Sequence, residues 1–184
     1  MDRIRLYHFS PFAYLILTAC GGGGGSGGSS PQNLQFGGNI IKGPLSNATV
    51  FVDYDGDGIL DSGEPSTTTD TNGAFTLTST SSTAQIVATT DATTIDTSTG
   101  QSLAGVILKA PAGSKVVSPS STLMQEGNLT ATQVASVLGL DGVDILNFNP
   151  YASGADAATA LKVEKTAQQL MNTVKSIAAA GEGA

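Results

Sequence analysis

The chain has one histidine, one cysteine and no tryptophan among its 184 residues. The histidine, His8, falls in an N-terminal segment that reads as an export signal, so the exported chain would hold none. Without histidine there is no Ser-His-Asp or Cys-His arrangement and no His-ligated zinc site. That excludes most hydrolase mechanisms, although paired carboxylates or lysine-based chemistry stay open on composition alone. A single cysteine permits no intrachain disulfide, so stability must come from the core and from any bound metal. Basic residues are scarce too, 8 against 15 acidic, for a formal net charge of −7. Losing Arg3, Arg5 and Asp2 with the signal would leave six basic and fourteen acidic residues, a net charge of −8. An acidic chain without basic clusters argues against nucleic acid and against electrostatic docking on anionic lipid. Aromatics make up only 5% of residues, too few to build a sugar-binding groove or a base-stacking platform easily.

What is present begins with the N-terminus. Arg3 and Arg5 precede a short apolar run, Pro11 to Leu17, and then Leu17-Thr18-Ala19-Cys20. The run is shorter than the roughly 20 apolar residues of a membrane span and suits a signal peptide. The small residues before Cys20 resemble the lipobox of bacterial lipoproteins. That resemblance implies removal of residues 1–19 and attachment of lipid to the Cys20 sulfur, and hence a membrane partner. Gly21 stands where an aspartate would favour the inner membrane, so an outer-membrane or cell-surface place in the envelope is expected. A plain secretory signal beside an incidental cysteine is the alternative. Residues 20–38 then read as a flexible tether, with GGGGGSGGSS over 21–30. As a random coil its glycine-rich stretch and the segment after it span about 25 Å.

The most informative segment is Asp53-Tyr54-Asp55-Gly56-Asp57-Gly58-Ile59-Leu60-Asp61-Ser62-Gly63-Glu64. It fills the pattern of a twelve-residue calcium loop. Asp53, Asp55 and Asp57 stand at positions 1, 3 and 5, and Gly58 at the sharp turn. Ile59 offers its backbone carbonyl at position 7. Asp61 holds position 9 and Glu64 the bidentate position 12. Five carboxylates in twelve residues repel one another unless a cation sits among them, and calcium suits such a site better than magnesium. The alternative is an Asp/Gly-rich turn without an ion. The ion is expected to be structural, because no neighbouring acid or base marks the loop as catalytic.

Around the loop the pattern is β. Asn39 to Lys42 reads as a short strand. Ala48 to Val52 alternates and is rich in β-branched residues, so a strand rather than an EF-hand helix should enter the loop. Asp70-Thr71-Asn72-Gly73 is a tight-turn signature, with Ala74 to Leu77 expected back as the partner strand. This order resembles the Sdr-type and Cna-type B repeats of bacterial surface proteins. Those are prealbumin-like β-sandwiches, close in kind to carboxypeptidase regulatory-like domains. The resemblance covers roughly residues 39–90. It implies a stalk or spacer role, stiffened by calcium. Lys42 stands where Cna-type domains place an isopeptide lysine, but no matching Asn and Glu pattern accompanies it.

Strands are also expected at Ala84 to Thr89, Leu103 to Lys109 and Ser114 to Val117, with a loop or edge hairpin over 93–100. The period then changes. Thr130 and Gln133 form a capping box before a short helix, Ala131 to Leu138, that Gly139 ends. Ser153 and Asp156 suggest a second box. From Asp156 to Ala180, apolar residues recur at three and four: Ala160, Val163, Ala167, Leu170, Met171, Val174, Ile177 and Ala178. This amphipathic helix packs either on the chain's own core or on a partner. The end of the sequence three residues after Gly181 raises the expectation of a longer architecture.

The expected fold is therefore mainly β with a C-terminal α region: a prealbumin-like β-sandwich over 39–117, followed by a small helical region over 118–184. The expected role is non-enzymatic, as an adhesion, stalk or envelope-assembly unit that meets an envelope protein or a surface ligand. An accessory domain of a larger secreted enzyme or transport complex, and a calcium-responsive switch, are the alternatives.

Overall fold

The structure, a computed structural model, describes residues 33–181, with side chains through residue 177. The signal segment, Cys20 and the Gly/Ser run lie outside the described residues. Among the described residues, ten strands and three helices follow in order. The strands are β1 (Leu34–Ile40), β2 (Leu45–Ser46), β3 (Thr49–Asp53), β4 (Ser66–Thr68), β5 (Ala74–Ser79), β6 (Gln85–Thr89), β7 (Ile95–Asp96), β8 (Gln101–Ser102), β9 (Ile107–Ala110) and β10 (Val116–Val117). The helices are α1 (Pro119–Glu126), α2 (Ala131–Val137) and α3 (Ala157–Gly181). The protein is mainly β with a C-terminal helix, and among the described residues no helix is long and apolar enough to cross a membrane.

Three sheets form, in the orders β10-β1-β5, β4-β3-β6-β9 and β2-β7-β8. Alternation decides which side chains meet. In β5, Phe75, Leu77 and Ser79 are buried while Thr76 and Thr78 face solvent. Phe75 and Leu77 join Phe36 and Ile40 of β1, Val50 and Val52 of β3, and Ile86 and Ala88 of β6 in one apolar core. The two larger sheets thus share a core, as in a sandwich. Val50 and Val52 point into it, so Phe51 and Asp53 point to the opposite face of β3.

The first strand starts earlier than the sequence suggests. Leu34–Gly38 belong to β1 and pair with β5 from Leu34↔Ser79 to Gly38↔Phe75, so residues 34–38, expected as tether, are strand. Polar and glycine residues hide this stretch, which is held by its partner strand and by the burial of Phe36. The Asp70–Gly73 turn also joins different partners from those expected. β4 pairs with β3 and β5 with β1, so the turn carries the chain from one large sheet to the other. The Asp70 carboxylate accepts the Asn72 and Ala74 amides at 2.8 and 2.9 Å. The Gly73 carbonyl accepts the Ile40 amide at 2.8 Å, which pins the turn to β1. Gly73 has φ +71°, and a Cβ there would stand 2.6 Å from the Ile40 carbonyl oxygen. Gly73→Ala should therefore destabilise the fold by about 2–4 kcal/mol, seen as a lower urea midpoint with little change in slope.

The strand placed at Leu103 starts at Ile107 instead. The Leu103 amide goes to the Thr94 carbonyl and the Val106 amide to the Thr90 hydroxyl, so 103–106 cross over the end of β6. The edge hairpin expected over 93–100 forms as β7–β8 and reaches two residues further, pairing Ile95 with Ser102 and Asp96 with Gln101. Just after β1, the Lys42 ammonium meets Asp96 of β7 at 2.8 Å, with the Asp96 side chain 2% exposed. Ser98 donates its amide and hydroxyl to the other Asp96 oxygen. Burial works against the Asp96 charge, but the Lys42 and Ser98 hydrogen bonds hold its carboxyl below the usual range.

The α region begins with a helix that the apolar periodicity does not reveal. Ser118 and Ser121 cap α1 reciprocally and Pro119 opens it. It lies along β9, the edge of the four-stranded sheet. The Lys109 amide donates to the Thr122 hydroxyl at 2.9 Å, and the Ser121 hydroxyl donates to the Lys109 carbonyl at 2.7 Å. α2 starts at the expected Thr130–Gln133 box. α3 is capped by Asp156 itself, whose carboxylate accepts the Thr159 amide and hydroxyl, and Ser153 takes no part. A second apolar cluster of Val134, Ala135, Leu140 and Ile145, with Val163 against it, joins α2 to α3. Ala167 and Met171 are buried, whereas Val174 and Ile177 are 58% and 68% exposed. The helix therefore packs on its own domain through Met171 and leaves that surface beyond.

Candidate metal centre

The Asp-rich segment is the connection between β3 and β4, two antiparallel neighbours that pair up to Phe51↔Ser66. Asp53 closes β3, so a strand enters the loop. Ligand oxygens of Asp53, Asp55 and Asp57 lie within 4.8 Å of one another. This acidic cluster could hold a metal ion. Every donor in it is a carboxylate oxygen, which matches a hard cation and not a thiolate- or imidazole-seeking one.

The loop is organised by its own amides. Asp53 Oδ1 accepts the Gly56 amide at 2.6 Å and Oδ2 the Gly58 amide at 2.8 Å. Asp55 accepts the Asp57 amide at 3.3 Å, and Asp57 accepts the Ile59 amide at 2.7 Å. Gly58 turns at φ +80°, a conformation that any β-branched residue would resist. Ile59 turns its side chain outward, 63% exposed, so only its backbone faces the loop.

Asp61 and Glu64 are not part of the close cluster. Glu64 instead staples the loop ends: Oε1 accepts the Tyr54 amide at 2.6 Å and Oε2 the Asp61 amide at 3.0 Å. Asp61 is exposed, and the charge of Asp57 above all, with those of Asp55, Glu64 and Asp53, pushes its carboxyl above the usual value. This is the electrostatic stress that a cation would relieve. Asp53 responds oppositely. Burial disfavours its charge, but hydrogen bonds from Gln85, Gly56 and Gly58 together hold its carboxyl low.

Two residues beside the loop carry no signal in the sequence around them. Gln85 of β6 stands directly opposite Asp53 in the strand register and donates its amide to Asp53 Oδ2 at 2.8 Å. Lys109 of β9 lies against Gly58, its ammonium 3.4 Å from where a Cβ would project, and pairs with Glu126 of α1 at 2.8 Å. Only the strand register brings these two to the loop, and nothing local to either residue signals it. No family model matches the chain, and neither a curated protein nor a solved structure matches it at a significant level.

Proposed function

We propose that this chain is a lipid-anchored protein of the bacterial envelope, in which a calcium-stiffened β module serves adhesion, a stalk or envelope assembly without catalysing a reaction. The observation that carries the calcium part is the gathering of Asp53, Asp55 and Asp57 on a loop between neighbouring strands. A prealbumin-like sandwich of the Sdr or Cna B type is the finer fold reading. Two sheets around one core and an Asp-rich loop on a sheet connection support it. In this reading Asp53, Asp55, Asp57 and Asp61 with the Ile59 carbonyl and Glu64 surround the ion. Glu64 would exchange its amide partners for the metal.

Anchoring rests on the lipobox-like Leu17-Thr18-Ala19-Cys20. In cells given labelled fatty acid, the wild-type chain should carry label and sediment with membranes. Cys20→Ser should be unlabelled and appear in the soluble fraction. A Cys20→Ser protein that still sediments with membranes would overturn the lipid anchor.

A further inference from the structure

We propose that Gln85 and Gln125 form a side-chain relay through which helix α1 sets the affinity of the loop for its cation. The inference rests on the calcium reading above and extends it to regulation of that site.

The direction of the relay follows from donor and acceptor chemistry. An ionised Asp53 only accepts hydrogen bonds, so Gln85 must present its NH2 group to it. The Gln85 carbonyl then faces away from the loop and needs a donor. Gln125 of α1 supplies one, with Nε2 3.1 Å from Gln85 Oε1. Asp53 is 1% exposed, so its rotamer is fixed by these contacts rather than by water. Asp53, Gln85 and Lys109 belong to adjacent strands β3, β6 and β9, and α1 is fastened to the last of them through Ser121, Thr122 and Glu126. The helix is therefore joined to the loop at two points: Gln125 through Gln85 to position 1, and Glu126 through Lys109 to the Gly58 turn. Residues that orient a metal ligand from outside the coordination sphere tune affinity strongly. Linkage makes the effect mutual, so an ion that binds more tightly when α1 is seated must also seat α1 more firmly.

The test uses the full chain, with calcium as the probe. Calorimetric titration should show Gln125→Ala binding about tenfold more weakly than wild type, although the side-chain hydrogen bond of Gln125 goes to Gln85 and not to the loop. Gln125→Glu should be weaker still. A carboxylate at 125 cannot donate, so it draws the Gln85 NH2 to itself and turns the Gln85 carbonyl against Asp53. Added negative charge near a cation site would, without the relay, leave affinity equal or raise it, so the two substitutions separate the mechanisms by sign. Hydrogen exchange of the amides of 119–126 should slow on calcium addition in wild type and not in Asp55→Ala. Calcium binding that is unchanged in Gln125→Ala, tighter in Gln125→Glu, or without effect on α1 exchange overturns the relay and leaves the calcium site standing. Absence of calcium binding by the wild type at millimolar concentration ends both.

Discussion

Saturating calcium should raise the melting temperature of the full chain by about 5–10 °C, and Asp55→Ala should abolish the rise. An ion at about 100 times its dissociation constant adds roughly 2.7 kcal/mol, and a domain of this size gains about 2–4 °C per kcal/mol. Asp55 is exposed and accepts only one weak loop contact, so its loss should leave the chelator-treated protein near the wild-type melting point. Asp53→Ala should behave differently. It removes the acceptor for the Gly56 and Gly58 amides and for Gln85, two of them at the same oxygen. Stranding those donors costs about 1–3 kcal/mol even without calcium. Asp53→Ala should thus melt below Asp55→Ala in chelator, and neither should respond to calcium. Scanning calorimetry across calcium concentrations reads both effects. A wild-type melting point indifferent to millimolar calcium would remove the structural ion. The Asp53 carboxyl is held low in the fold, so its contribution is full above the unfolded value of about 3.9 and fades as pH falls through the folded one.

Lys42→Met should be strongly damaging, lowering stability by about 3–5 kcal/mol at neutral pH. The Asp96 side chain is 2% exposed, and without the Lys42 ammonium it keeps only Ser98 against the cost of burial. The pH dependence carries the signature. In wild type the Asp96 carboxyl is held below its unfolded value, so its contribution is present above about pH 3.9 and is lost as pH falls through the folded value. In Lys42→Met only the Ser98 hydrogen bonds oppose burial, so the carboxyl should rise from its wild-type position. The penalty is then present at neutral pH and disappears as acid protonates the group. The gap between the two proteins should therefore narrow from pH 7 toward pH 4. Asp96→Asn in the Lys42→Met background keeps an acceptor for Ser98 and removes the stranded charge. It should recover much of the loss at pH 7. Urea unfolding at the two pH values decides it: a gap that stays constant or widens in acid would show that the pair is not what holds this corner.

Where the sequence is legible, the signal is local. Val50, Phe51 and Val52 mark β3, the carboxylate spacing marks the loop, and the Thr130–Gln133 box marks α2, because each depends on neighbours in the chain. Boundaries fail where a partner decides. Gln35, Gly37 and Gly38 have little strand preference, and β5 makes a strand of them. The turn at Asp70 looks like a hairpin because its own hydrogen bonds are those of a hairpin. Which sheet each arm joins is settled by Gly73 against Ile40. Helix α1 escapes periodicity for another reason. It presents buried Ser120 and Ser121 to the body of the protein and docks by hydroxyl–backbone bonds, so no apolar stripe records it. Gln85 is invisible until the register sets it opposite Asp53.

The way α1 covers β9 also bears on solubility. A sheet edge with free amides and carbonyls is a template for another strand, and exposed edges invite fibrous aggregation. At β9 the Lys109 amide and carbonyl are already occupied by Thr122 and Ser121. The opposite edge, β4, offers three polar residues, Ser66, Thr67 and Thr68. Crowded copies of the chain are thereby hindered from zipping together through this sheet, and that protection lasts only while the helix stays in place.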